Sequence, residues 1–188
     1  KIEAGEAKGV VLDTGEEIIA TRVIVSNVNV KQLFLEMTKP EELPPGFQDK
    51  VKKIKKSPLG GLKQDIALNE APKYKAGGDV DKALTIQIVP LLKDLLKMCD
   101  EIGYGIPFTG SPFLSVATLV DPTRAPKGKH TLYLHHIVPY NLKEGGPLRW
   151  DEIKEEVADS VLETMRRHAT NMGPENILGR SILSPLDL

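Results

Sequence analysis

Apolar and polar positions along this chain change rhythm several times, and each rhythm predicts an element. Val10 to Asp13 and Glu16 to Ala20 flank Thr14-Gly15. Two short β-branched runs around a glycine predict a hairpin, because glycine takes the positive φ of a tight turn without strain. Arg22-Val23-Ile24-Val25 predicts a third strand whose composition asks for cover on both faces, and it runs into Ser26-Asn27. Val30 to Met37 predicts a short helix, with Leu33, Phe34 and Met37 at helical spacing and Pro40 as the stop. Phe47 to Lys56 predicts a second, with Phe47, Val51 and Ile54 apolar and lysines over the rest of its surface.

Beyond Gly60-Gly61 the pattern becomes that of a larger domain. Leu62, Gln64, Ile66 and Leu68 alternate on one side of a strand over 62–68, and residues 69–81, with Pro72 and Gly77-Gly78, read as loop. A helix from Pro90 to Gly103 carries Leu91, Leu92, Leu95, Leu96, Cys99 and Ile102 as an apolar stripe. Strands over 112–120 and 130–138 are joined by a turn-rich stretch, Asp121 to Gly128, which suggests an antiparallel pair. A helix over 151–171 has Asp151 and Glu152 in its first turn and Arg166, Arg167 and His168 in its last, as the helix dipole favours. Its stripe is Ile153, Val157, Val161 and Met165, and a strand over 177–183 closes the chain. The fold class is therefore α+β: a central, mainly antiparallel sheet with helices packed on one face, preceded by a small β-meander.

Composition adds mostly exclusions. The chain has 188 residues, 40% hydrophobic and 27% charged, which suits one ordinary domain with or without an appendage. A net charge of -1 offers no basic excess for nucleic acid, and the lysines of 47–56, without interleaved aromatics, read as a solvated helix face. Cys99 is the one cysteine, so no internal disulfide is possible. It reads as a small core residue, and single-cysteine usage fits a reducing compartment. No apolar run is long enough to span a bilayer and no signal-peptide pattern opens the chain. The expectation is a soluble, cytoplasmic protein without a transmembrane segment. The chain starts at Lys1 and stops at Pro185-Leu186-Asp187-Leu188, and both ends read as cut.

Motifs for catalysis are scarce. Gly103-Tyr104-Gly105 is followed by Ile106-Pro107-Phe108, where a dinucleotide fingerprint needs a helix start and a third glycine. Gly128-Lys129 leads into His130, so there is no phosphate loop, and no G-x-S-x-G elbow or H-E-x-x-H helix occurs. On a strand His130 and His136 share a face and His135 points to the other, with no nearby acidic residue to complete a metal set. Ser57, Ser111 and Ser184 each precede proline and mark turns. No catalytic residue and no metal ligand is assigned.

Two stretches together resemble a known family. AKGVVLDTGEEIIATRVIVSN, and later VDPTRAPKGKHTLYLHHIVPYNL followed by Trp150 and ILSPLDL, resemble motifs of FAD-dependent oxidoreductases of the phytoene-desaturase-like group. The likeness runs in register from about Gly5 to Leu188. It implies that residues 1–28 are a remnant of the FAD-binding domain, with Ser26 and Asn27 at the cofactor-side exit, and that 29–188 form the substrate-binding domain. The glycine-rich unit that holds the FAD diphosphate is absent from this sequence. The implied protein is thus a fragment of a dehydrogenase or desaturase, inactive alone and without bound FAD, whose intact form binds FAD and a small apolar or amine-like substrate. Strand position then points to Phe113, Ser115, Ala117, Tyr133 and Tyr140 as a mainly apolar substrate wall. A homodimer through the N-terminal edge strands is a further expectation. The competing readings are a non-catalytic interaction module and an apolar-ligand carrier.

Overall fold

The computed structural model describes residues 1–55 and 57–188, and the chain divides into two compact units, Lys1–Lys56 and Ser57–Leu188. In the first unit β1 (Ile2–Glu3) pairs with β2 (Glu6–Ala7), an opening hairpin the apolar pattern did not reveal. The expected hairpin follows: β3 (Gly9–Val11) pairs antiparallel with β4 (Glu17–Ile19), with Val10 opposite Ile18. Gly15 in its turn has φ +84°.

The third strand does not form. Residues 22–27 join no ladder, and Val23 and Val25 are 73% and 86% exposed. A strand exists only by pairing its backbone with a neighbour, and residues 22–27 have no ladder partner among the described residues. The helix expected from Val30 is short and winds as a π-helix over Gln32–Glu36. Leu33 and Phe34 are half-buried and Met37 is exposed. Phe34 meets Phe47 edge-on at 5.0 Å. Phe47 opens α1 (Phe47–Lys52), whose one buried residue is Val51. This helix is shorter than the pattern over 47–56, and Lys56 lies outside the described residues.

The second unit is built on a five-stranded sheet of order β6-β7-β8-β5-β9. Its strands are β5 (Leu59–Leu68), β6 (Thr85–Gln87), β7 (Phe113–Ser115), β8 (His130–Pro139) and β9 (Ile177–Leu183), and every pairing is antiparallel. The β5–β8 ladder runs from Leu59↔Pro139 to Leu68↔His130 and is the spine of the unit. Leu62, Gln64, Ile66 and Leu68 face inward as the alternation requires, all at most 1% exposed. The Gln64 amide N–H donates to the Ala158 carbonyl at 3.0 Å, while its Oε1 is buried with no partner among the described residues.

Helix α3 (Trp150–Arg166) covers this face with Trp150, Val157, Ala158, Val161, Leu162 and Met165. The Trp150 indole N–H donates to the carbonyls of Pro139 and Tyr140, each at 3.2 Å. At the C-terminal end the Asp187 carboxylate accepts from the Ser184 amide and hydroxyl at 2.8 and 2.9 Å and pairs with Lys154 of α3 at 3.1 Å. These contacts hold its carboxyl below the usual range. The Ser-Pro-Leu-Asp stretch is thus a clasp between β9 and α3.

Three expectations are corrected. The strand over 112–120 is only β7, because the chain turns into a 3-10 helix at Ala117–Leu119 that brings Thr118 against His130 Nδ1 at 2.9 Å. The terminal helix ends at Arg166 rather than near 171. Helix α2 (Leu92–Gly103) forms but buries no residue: Leu91, Leu92 and Leu96 are exposed, and so is Cys99, which is not a core residue. Only Leu95 and Ile102 of the expected stripe are half-buried. The inner sheet face is already filled by α3, and the neighbouring strands β6 and β7 have three residues each, too little surface to receive a second stripe.

Candidate functional site

Alternation that sends Leu62, Gln64, Ile66 and Leu68 toward α3 sends the residues between them to the opposite face. The register aligns these outward positions in rows across the sheet. Phe113 lies opposite His135, and His135 opposite Lys63. In the next row Ser115 lies opposite Tyr133, Tyr133 opposite Asp65, and Asp65 opposite Ser181. Beyond it Thr131, Ala67 and Gly179 form a row of small residues. A cleft of about 600 Å³ lies over the last two rows, with Ala117 and Arg124 on its border.

The aromatic groups of this face touch one another. Tyr133 and His135 stack with centroids 5.9 Å apart and planes 7° from parallel, Phe113 meets Tyr133 edge-on at 6.3 Å, and Lys63 Nζ stands 5.6 Å from the Tyr133 ring centre. Lys63 also pairs with Asp65 at 2.8 Å, and this bond raises the lysine pKa. His135 lies flat across β5 because residue 61 is glycine: a Cβ there would sit 2.5 Å from His135 Nε2. Burial lowers the His135 pKa, which keeps the imidazole neutral near pH 7.

Arg124 stands on a stiffened loop. The Asp121 carboxylate accepts from the Thr123 amide and hydroxyl at 3.2 and 2.5 Å and pairs with Arg124 Nε at 3.3 Å, and its pKa is lowered by these bonds, Thr123 first. Arg180 borders the cleft as well, but its guanidinium is held on the other side by Asp159 at 2.6 Å and Glu155 at 3.4 Å, both on α3.

The neighbouring His136 belongs to the inner face. It is 1% exposed, its Nε2 meets the Phe108 carbonyl, and its buried Nδ1 has no partner among the described residues. Among the described residues no three His, Cys, Asp or Glu side chains gather as a metal ion needs, and no helix is long and apolar enough to cross a membrane.

Of the wall residues read from the sequence, Phe113, Ser115 and Tyr133 share the outward face; Ser115 and Tyr133 line the cleft, Ala117 joins them there from the 3-10 turn rather than from a strand, and Phe113 lies outside its lining. Tyr140 lies beyond the end of β8, seven residues or roughly 24 Å of extended chain from Tyr133. The face is also less apolar than expected, since Lys63, Asp65 and Arg124 share it. Lys63 and Asp65 were available to sequence reasoning by parity alone, as the residues between buried ones; nothing local marked Arg124. In the first unit Ser26 and Asn27 are exposed, and the Ser26 hydroxyl accepts from the Val28 amide at 3.3 Å. Neither residue borders a cavity described for that unit.

Comparison with known proteins decides the resemblance. The chain is 33% identical, over 98% of its length, to pyridine nucleotide-disulfide oxidoreductase domain-containing protein 2 of Rattus norvegicus, and 31% identical to the Mus musculus protein of the same name. The chain is a relative of these proteins. It spans about a third of their length. A chloroplastic prolycopene isomerase 2 from an Oncidium hybrid cultivar is 26% identical over 88% of the chain. No protein-family model matches. The likeness to oxidoreductases of the phytoene-desaturase-like group, read from the two motif stretches, is borne out.

Proposed function

We propose that this chain supplies the substrate-facing domain of a flavin-dependent oxidoreductase, with residues 1–28 belonging to its cofactor-binding part and 29–188 to the substrate domain. The observation that carries this reading is the likeness to the oxidoreductase relatives over 98% of the chain. The outward sheet face, with its cleft and aromatic cluster, supports it as the surface offered to substrate. A bound flavin supplies hydride chemistry, which fits a chain in which no nucleophile or acid–base pair stands out. Ser26 and Asn27, exposed and outside the lining of the cavity described at Pro40–Lys52, are placed in this reading at the cofactor-side exit. The chain alone is proposed to hold no flavin and to be inactive.

The test is a chimera in which these 188 residues replace the matching segment of the rat relative, with the unaltered rat protein as reference. Both are expected to purify yellow with a flavin spectrum, whereas the 188-residue chain alone stays colourless when mixed with FAD. A folded chimera without flavin, or a rat protein without flavin, sinks the reading.

A further inference from the structure

The chemistry of the outward face also indicates which part of a substrate it receives, an inference that rests on the substrate-facing reading above. Of the charged side chains bordering the cleft, Arg180 is engaged by Asp159 and Glu155. That leaves two cations, Lys63 and Arg124, against the single carboxylate of Asp65. Asp65 is already paired with Lys63, and Arg124 spends only its Nε on Asp121, so the terminal nitrogens of its fork remain for a ligand.

Hydroxyls of Ser115, Thr131, Tyr133 and Ser181 lie in the same rows, over a floor of small residues that leaves room for a compact head. A wholly hydrocarbon ligand pressed onto this floor would strip water from two cations and several hydroxyls without replacing their hydrogen bonds, at a cost for each. Beside it the ring cluster of Phe113, Tyr133 and His135, which spans two rows, has opposite character: contiguous rings, half-buried, suited to a flat apolar body. We propose that the cleft receives the carboxylate end of a substrate whose remainder is apolar and planar. Arg124 and Lys63 take the charge, and Phe113, Tyr133 and His135 take the body.

The experiment titrates the 188-residue chain with trans-cinnamate, cinnamyl alcohol and inorganic phosphate, following amide shifts by two-dimensional NMR. Cinnamate is expected to shift Ser115, Arg124 and Tyr133, and to bind about tenfold more tightly than the alcohol. Arg124→Gln and Lys63→Met should each weaken cinnamate about tenfold while leaving the alcohol unchanged. Absence of cinnamate binding, equal affinity for the alcohol, indifference to both substitutions, or phosphate competing as well as cinnamate would overturn the assignment. The flavin chimera separates this from the parent reading. If it holds flavin while cinnamate fails to bind, only the carboxylate assignment falls; if cinnamate binds and flavin is lost, only the flavin reading falls.

Discussion

The two faces of the five-stranded sheet are made by alternate residues of the same strands, yet they obey different rules. Leu62, Ile66, Leu132, Leu134 and Val138 face α3 at no more than 1% exposed. Their neighbours Lys63, Asp65, Thr131, Tyr133 and Ile137 are half-buried or exposed. On the inner face a side chain is judged by how it fills volume, so its identity decides stability. On the outer face it is judged by what it offers to a ligand. The contrast teaches that a stability screen and a binding screen of these strands should each respond to a different half of the residues.

The largest effect is expected from Leu134→Ala, which removes a fully buried side chain from β8. Chemical denaturation should report a loss of about 2–5 kcal/mol, the range for buried leucines that leave a cavity. A loss below about 1 kcal/mol would mean that the inner face repacks freely and that the contrast is weaker than drawn. Trp150→Phe keeps most of the buried ring but removes the donor to the Pro139 and Tyr140 carbonyls. It should cost about 1–2 kcal/mol, and an unchanged denaturation midpoint would show that those carbonyls find another partner.

Acid exposes the same asymmetry. Burial lowers the pKa of His136, and of His135 to a lesser depth of burial, below the ordinary 6.5. Between the native pKa and 6.5 the unfolded chain binds more protons than the folded one, so stability falls as pH drops through that window and is independent of these groups above it. Each such group contributes at most about 1.4 kcal/mol per pH unit. His136→Gln should flatten the slope of thermal stability between pH 6.5 and 5 and leave the part due to His135. A variant profile parallel to the parent's would place the slope on other groups.

What could be read from the sequence divides along similar lines. Strands β5, β8 and β9 and the buried stripe of α3 were legible because one buried face writes a period into the chain, and Ile177–Leu183 was placed to the residue. Three features resisted, each depending on a neighbour far along the chain. Residues 22–25 have strand composition but no ladder partner among the described residues, β6 is three residues recruited by β7, and the α2 stripe stays largely exposed. The site was half legible. Parity placed Phe113, Ser115 and Tyr133 on one face, whereas Tyr140, seven residues from Tyr133 and so of opposite parity, lies beyond the end of β8. Arg124 arrives at the cleft from a loop and no periodicity announces it.

The smallest expected effect sharpens the comparison most, because it concerns the residue next to Leu134. Tyr133→Leu breaks the stack on His135, the edge contact with Phe113 and the approach of Lys63, yet it leaves an apolar side chain of similar reach on a face that water already wets. Cross-strand pairs of this kind contribute roughly 0.2–1 kcal/mol, so denaturation should shift by about 0.5 kcal/mol. Cinnamate affinity should fall in the same variant, since the planar body loses its platform while Arg124 still holds the charge. Two adjacent substitutions, one costly to folding and silent in binding and the other the reverse, would establish that a single strand serves both functions by turning alternate side chains to alternate faces. If Tyr133→Leu destabilised the unit as much as Leu134→Ala, the outer face would be part of the core, and its cleft would have to be reread as packing.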